Sequence, residues 1–171
     1  AFVTDYKLPM IGHTKTVRIA VVLLILCITQ HQAMAWGFWA HQRINRVAVF
    51  LLPPEMLNFY KQHIDYITEH AVDPDKRRYS SPDEAPRHYI DLDHYCVLPC
   101  NEIPHKWDDA VSKYTEDTLN AYGTVPWRVQ SMMYWLTKAF KEKDYQKILR
   151  LSAELGHYVG DAHVPLHTTE N

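Results

Sequence analysis

The sequence lacks a long hydrophobic run and lacks an excess of basic residues. No apolar stretch approaches the roughly 20 residues needed to cross a bilayer, so a polytopic membrane protein is excluded. Eighteen Lys and Arg stand against twenty Asp and Glu, and a net charge of −2 offers no basic surface for a protein that tracks duplex nucleic acid. Any affinity for phosphate must therefore come from another source.

Charge, aromatic residues and histidine are well represented. Charged residues make up 22% of the chain and aromatic residues 12%, which excludes a disordered polypeptide. The 171 residues fit one domain rather than two. Eleven histidines are the unusual feature of the composition, and they raise the question of a metal site.

The first 35 residues have the features of a secretory signal peptide. Lys15 and Arg18 precede an apolar run over residues 19–28, and residues 33–35 form the small-x-small pattern that a signal peptidase cleaves. This run is too short for a stable membrane anchor. We therefore expect an exported protein, secreted or periplasmic, whose mature chain is residues 36–171.

Export bears on the start, the charge and the cysteines of the chain. Met10 is a candidate start of translation, and residues 1–9 are then upstream sequence; the alternative is that they belong to the signal segment. The mature part keeps 15 basic and 19 acidic residues, a net charge of −4. In an oxidising compartment Cys96 and Cys100 could pair. A metal half-site is disfavoured because zinc ribbons need a second cysteine pair, which leaves a disulfide or two free thiols.

Hydrophobic periodicity predicts an all-α, single-domain bundle of about five helices. Apolar residues recur with helical spacing over five segments, which are 39–52, 54–70, 108–122, 126–143 and 144 to about 165. Gly123 lies where a left-handed helix cap belongs. Prolines interrupt residues 73–104, which we predict to be a long loop with one turn. No segment alternates convincingly like a strand.

The strongest candidate for chemistry lies at the end of the last predicted helix. His157 and Asp161 are four residues apart, so they project from one helix face as two ligands of one ion must. Alone this spacing is more typical of a surface His–Asp pair. However, Gly160 costs a helix about 1 kcal/mol relative to alanine, and Pro165 allows His167 to turn back towards the same place. Together these features favour a metal site.

Two further groups of candidate ligands precede it. Asp73 and His88 lie fifteen residues apart in the predicted loop. On chemistry alone Asp75, Asp91 and Asp93 compete with Asp73, and a solvated acidic loop is the alternative.

The other group is the expected N-terminus, where Trp36 and His41 begin and end a six-residue stretch. An α-amino group has a pKa of about 7.7–8.0, low enough to lose its proton to zinc and to chelate together with its own carbonyl oxygen. The alternative is that Trp36 belongs to the core and that His41 is an ordinary helix histidine.

These motifs together resemble the secreted zinc-dependent phosphodiesterases, which comprise the S1/P1-type single-strand nucleases and bacterial phospholipase C. Trp-Gly-x-x-x-His starts at Trp36, and His-aromatic-Ile-Asp starts at His88 with Asp73 before it. His-aromatic-x-Gly-Asp-x-x-x-Pro-Leu-His runs from His157 to His167. The motifs span essentially the whole mature chain in the family's order. The resemblance implies an all-α fold around three zinc ions.

The resemblance also implies ligands for each zinc. The ion at the catalytic position would have four side-chain ligands, which are Asp73, His88, His157 and Asp161. Trp36, through its amine and carbonyl, and His41 would hold the second ion, with Asp161 bridging the two. His167 would be the first ligand of the third. The family's two remaining ligands would follow Asn171, so we interpret the chain as truncated at its C-terminus.

The function implied is hydrolysis of phosphoester bonds by a zinc-activated water. Three divalent cations would locally outweigh the net charge of −4 and attract phosphate. Arg87 could add to them, and the favoured alternative is that it is a solvated loop arginine. The five-residue gap from Trp36 to His41 resembles the nucleases, so we expect single-stranded nucleic acid and 3′-nucleotides as substrates.

Other interpretations stay open at this point. Phospholipid head groups are the alternative substrate, and a non-catalytic helical binding module held by structural zinc is the alternative of another class. Tyr79, Tyr89 and Tyr95 are candidates for stacking a base, but a place in the core explains them equally well.

Overall fold

The computed structural model describes residues 37–97 and 99–170. The expected signal segment, including Met10, and the expected ligand Trp36 lie outside the described residues. Within those ranges the chain forms eight α-helices and four short 3-10 helices and has no strand, so the predicted all-α class is confirmed.

Helix α1 covers residues 37–49 and is followed by α2 (Pro54–Gln62), α3 (Ile64–Glu69), α4 (Asp73–Arg77), α5 (Trp107–Tyr114), α6 (Glu116–Tyr122), α7 (Val125–Glu142) and α8 (Tyr145–Asp161). The 3-10 helices are His70–Val72, Pro82–His88, Leu92–His94 and Pro165–His167. No helix in the described ranges combines the length and the apolar character needed to cross a membrane.

Helices α7 and α8 are the longest elements, and they lie where two helices were predicted. Pro126 occupies the first turn of α7, where its missing N–H removes no hydrogen bond. Lys143 ends α7 in the left-handed conformation, and the Asp144 carboxylate caps α8 by accepting a hydrogen bond from the backbone N–H of Lys147 at 3.0 Å. This two-residue connection folds α8 back along α7.

Helix α8 buries two stripes of different chemistry. The apolar stripe consists of Ile148, Leu151 and Tyr158. The ionisable stripe consists of Glu154, His157 and Asp161. Within each stripe, successive members lie three, four or seven residues apart, as residues on one face of a helix do. Burial of each large apolar side chain contributes about 1.5–3 kcal/mol. Buried ionisable groups are instead unfavourable unless each finds a partner, so the second stripe determines which groups pack against α8.

Helix α1 approaches α8 closely at a glycine. The buried Asn45 amide of α1 donates hydrogen bonds to the carbonyl oxygens of Ala153, at 2.9 Å, and Ile67, at 3.3 Å. A Cβ atom added to Gly156 would lie 2.0 Å from the Asn45 Oδ1 atom. The close packing of α1, α3 and α8 therefore depends on glycine at this position.

Residues 73–104 contain more helix than the predicted loop with one turn. The additional elements are α4 and two 3-10 helices. Pro74 and Pro82 lie in the first turns of α4 and of the Pro82–His88 helix. Proline is favourable there because the first N–H groups of a helix have no partner within it. The prolines therefore start helical segments that the sequence pattern interprets as broken.

Two of the predicted helices are interrupted. The segment 54–70 is divided at His63, and the segment 108–122 is divided at Thr115, which has a φ of 69°. The Thr115 hydroxyl accepts a hydrogen bond from the backbone N–H of Thr118 and caps α6. Helix α8 ends at Asp161, before the predicted end near Pro165.

Gly123 allows the start of α7 to pack closely against the end of the Pro82–His88 helix. Its φ of 91° confirms the predicted positive value, although its ψ of 153° is extended rather than left-handed helical. A Cβ atom here would lie 2.2 Å from the Tyr89 carbonyl oxygen. The N–H groups of Thr124 and Val125 bind the carbonyls of Pro86 and Tyr89. The end of the Pro82–His88 helix is thereby fixed to α7.

Cys96 and Cys100 form a disulfide, with their Cα atoms 5.3 Å apart. This selects the first of the two alternatives that the sequence leaves open. The bridge closes a short loop outside the helices.

Candidate metal centre

The centre is built on the ionisable stripe of α8. His157 and Asp161 are 0% and 2% exposed, and His157 Nε2 lies 3.2 Å from Asp161 Oδ2, so the predicted pair does share one face. His157 Nδ1 lies 2.8 Å from the Ala71 carbonyl oxygen. A carbonyl can only accept, so Nδ1 carries a hydrogen and Nε2 of the neutral ring is an acceptor. Two acceptors then face each other, an arrangement that favours a cation or a proton between them.

His88 reaches the same point from the Pro82–His88 helix. Its Nδ1 lies 2.9 Å from Asp161 Oδ2 and 3.0 Å from His157 Nε2. The side chain is buried, and the contacts of the following backbone with α7 hold it in place. Two imidazole nitrogens thus meet at one carboxylate oxygen.

His41 approaches from α1 on the other side. Its Nε2 lies 3.2 Å from Asp161 Oδ1, and its ring stacks on His157 with 3.8 Å between centroids. A Cβ atom on Gly160 would lie 3.3 Å from His41 Nδ1, so glycine gives the imidazole room beside α8. This accounts for a glycine inside a helix, which the sequence alone shows only as a cost.

The structure brings Asp75, not Asp73, to the cluster, and this corrects the expected ligand set. Asp75 Oδ1 lies 3.8 Å from both His88 Nδ1 and His157 Nε2. The Asp73 carboxylate instead contacts His70 Nδ1 at 2.5 Å and Lys76 Nζ at 3.1 Å. Residues two apart in a helix are turned by about 200°, so only one of the two carboxylates can face the histidines.

His167 lies next to the cluster. It ends the short Pro165–His167 helix, and its Nδ1 donates a hydrogen bond to the His88 carbonyl oxygen at 2.8 Å. The same atom lies 4.0 Å from Asp161 Oδ1. The Ile90 N–H binds the His167 carbonyl at 2.9 Å, which fixes the turn. Proline therefore does return this histidine towards the end of α8.

The histidines and carboxylates alter one another's pKa values. Burial by itself raises the pKa of Asp161, but the surrounding imidazoles of His157, His41 and His88 hold it well below its usual range. Burial lowers the pKa of His88, but its hydrogen bond with Asp161 and the nearby carboxylate of Glu84 more than compensate, so the net shift is upward. Asp161 is consequently ionised at neutral pH, and the cluster favours positive charge.

The spacing of these groups suits a metal ion. Four ligands placed tetrahedrally about 2.0–2.2 Å from zinc are separated by about 3.3–3.6 Å. The nitrogen and oxygen contacts above, among His88, His157, Asp75 and Asp161, range from 2.9 to 3.8 Å. His157 and His167 each donate Nδ1–H to a backbone carbonyl, which is typical of metal-binding histidines. Two groups could therefore hold a metal ion: the fully buried His88, His157 and Asp161, and the partly buried His41 and Asp75 together with His157.

Behind the cluster lies a set of side chains that the sequence pattern does not predict. We call it the Arg77 network, and it consists of Arg77, Glu84, Glu154 and Tyr158. Arg77 donates to both oxygens of Glu154 at 3.0 Å and to Glu84 at 3.3 Å. The Tyr158 hydroxyl donates a short hydrogen bond to Glu84. The four-residue spacing from Glu84 to His88 was the available signal. Arg87, considered above as a phosphate ligand, contacts Glu84 at 2.8 Å.

A cavity of about 200 Å³ opens beside His88 and His167. Tyr89, Asp91 and Arg78 also line it. Of the three tyrosines considered for base stacking, Tyr89 is the one in this cavity. The Tyr95 hydroxyl is buried and donates to the Gly123 carbonyl, and Tyr79 is 75% exposed.

Comparisons of this chain with protein-family models, with curated proteins and with solved structures find no match in any of the three.

Proposed function

We propose that this protein is a zinc-dependent phosphodiesterase that hydrolyses single-stranded nucleic acid and 3′-nucleotides. The observation that carries the proposal is the meeting of His41, His88 and His157 around the two oxygens of Asp161. These residues come from three elements distant in sequence. Their donor atoms are those that zinc prefers.

The ligand sets follow from the contacts. Asp75, His88, His157 and Asp161 Oδ2 would hold one ion. Asp161 Oδ1 and His41 Nε2 would belong to a second, so the two oxygens of one carboxylate would serve different ions. When bound, zinc supplies Lewis acidity and a water nucleophile at neutral pH.

The cavity beside the cluster supports a nucleotide substrate. The Tyr89 ring offers a stacking surface, and an aromatic contact of this kind stabilises a bound base by about 1–3 kcal/mol. The Asp91 carboxylate can accept hydrogen bonds from the amino or imino groups of a base. The Arg78 guanidinium can donate hydrogen bonds to a phosphate oxygen close to His88 and His167. Aromatic, acceptor and cationic groups thus surround one opening.

The proposal predicts metal content and activity together. The test uses the chain exported and processed from its natural precursor, with bound zinc quantified and turnover measured on single-stranded DNA, RNA, a 3′-nucleotide and phosphatidylcholine vesicles. We expect bound zinc and cleavage of the nucleotide substrates, with both lost in His157→Ala. Cleavage of the lipid alone would replace the nuclease assignment, and zinc binding without any hydrolysis would favour a structural module.

A further inference from the structure

The Arg77 network connects the three segments that carry Asp75, His88, and His157 with Asp161, the ligands proposed for the first ion. Arg77 lies two residues after Asp75 on α4, and Glu84 lies four residues before His88. Glu154 and Tyr158 flank His157 on α8. Each of these three segments therefore contributes at least one member of the network.

Glu84 is the member closest to an imidazole. It is 1% exposed, and its Oε1 lies 3.7 Å from His88 Nε2, the ring atom turned away from the cluster. Within the described part of the chain, this buried nitrogen has no hydrogen-bond partner. A gap of 3.7 Å exceeds a hydrogen bond, but a movement of about 1 Å would close it.

Metal binding at His88 would explain why a carboxylate lies opposite its Nε2 atom. A neutral histidine that uses Nδ1 as a ligand must carry its hydrogen on Nε2. That N–H then points towards the Glu84 carboxylate. A carboxylate behind a ligating histidine fixes the ring orientation and the tautomer.

The other contacts of Glu84 hold it in position. Oε1 accepts from the Tyr158 hydroxyl and from Arg77, while Oε2 accepts from Arg87. Burial raises the pKa of Glu84, but its hydrogen bonds and the charge of Arg77 bring it well below its usual range. The carboxylate is therefore ionised and surrounded by donors that restrict its movement.

We propose that Glu84 is a positioning residue that orients His88 for metal binding, and that the Arg77 network holds it there. This inference rests on the metal centre of the proposed function. It adds a role for a residue that does not itself touch the ion.

The main test compares Glu84→Gln with Asp83→Asn. Both changes neutralise neighbouring carboxylates of the Pro82–His88 helix, but Asp83 is exposed and lines a different cavity. Circular dichroism of the metal-free proteins first establishes that each is folded, and zinc affinity is then measured by chelator competition. We expect Glu84→Gln to bind zinc about 10–100-fold more weakly, and Asp83→Asn to match the unmodified protein. A merely structural role would lower thermal stability but leave the affinity of the folded protein unchanged.

A second measurement covers the case in which Glu84→Gln does not fold. Long-range ¹H–¹⁵N spectra of the zinc-loaded, unmodified protein report which His88 nitrogen carries hydrogen. We expect a slowly exchanging hydrogen on Nε2, and a hydrogen on Nδ1 would overturn the inference. Equal zinc affinity in folded Glu84→Gln would also overturn it while leaving the proposed function intact. An unmodified protein that binds no zinc would overturn both.

Discussion

Two sets of buried polar side chains meet along α8, the Arg77 network and the histidine–carboxylate cluster. They differ in how their charges are balanced. In the Arg77 network, Glu154 receives both arms of a guanidinium at 3.0 Å. In the candidate metal cluster, Asp161 faces only imidazoles among the described contacts. The first group is satisfied by its own side chains. The second is composed of acceptors and histidines, and its balance requires added positive charge.

The pKa values follow the same division. Burial lowers the pKa of Arg77, but the charge and hydrogen bonds of Glu154 raise it above its usual range. The Arg77 guanidinium therefore stays charged without any ligand. We infer that the Arg77–Glu154 pair serves folding, that the cluster serves binding and that Glu84 links the two, so changes at Glu154 and at Asp161 should have separable effects.

The largest effect is expected from removal of the carboxylate shared within the cluster. Asp161→Asn keeps the shape of the side chain but loses the charge that faces His41, His88 and His157. We expect phosphodiesterase activity to fall by at least about 100-fold. We expect zinc content to fall by about one equivalent. Metal analysis beside turnover checks this. Full zinc content in a folded Asp161→Asn protein would contradict the division between the two groups.

The matching change in the network is Glu154→Gln. It leaves the Arg77 guanidinium without its bidentate partner, and breaking a buried pair costs about 3–5 kcal/mol. Because the Arg77 side chain is 35% exposed, water recovers part of this, and we expect a loss of about 2 kcal/mol. Urea unfolding of the metal-free protein measures it. A stability within about 0.5 kcal/mol of the unmodified chain would show that the network is dispensable for folding.

How far sequence predicts the centre depends on the element that carries each ligand. His157 and Asp161 follow from helix geometry, because four residues return to the same face. Asp73 and Asp75 could not be distinguished, since the loop assignment of their segment hid the helical turn that separates their directions. The Arg77 network was missed because its contacts join residues up to 81 positions apart.

Acidification should affect the network through Glu84. Its pKa in the folded protein is below the ordinary value of 4.5, so its contribution to stability is present above about pH 4.5 and is lost as the pH falls towards the folded value. We expect a loss of about 1–2 kcal/mol by pH 3 in the metal-free protein. Glu84→Gln should flatten this part of the stability profile. An unchanged profile in the variant would assign the acid sensitivity to other carboxyl groups.

The smallest effect is expected at Gly160 of α8, and the matched change at Gly156 separates packing from binding. Gly156→Ala places a Cβ atom against Asn45 and should destabilise the fold by about 1–3 kcal/mol. In Gly160→Ala the contact with His41 is milder, and the better helix propensity of alanine offsets it, so stability should change by less than about 1 kcal/mol. Thermal unfolding and zinc titration of both variants check this. Equal destabilisation by the two changes would contradict the close approach at Gly156.

The most direct test of the account is anomalous diffraction at the zinc edge from crystals of the zinc-loaded protein. We predict a peak between His88, His157, Asp161 and Asp75, with the Asp73 carboxylate still on His70. A zinc peak that instead involves Asp73, or a fully loaded crystal with no peak at this point, would contradict the assignment of the cluster as a metal centre.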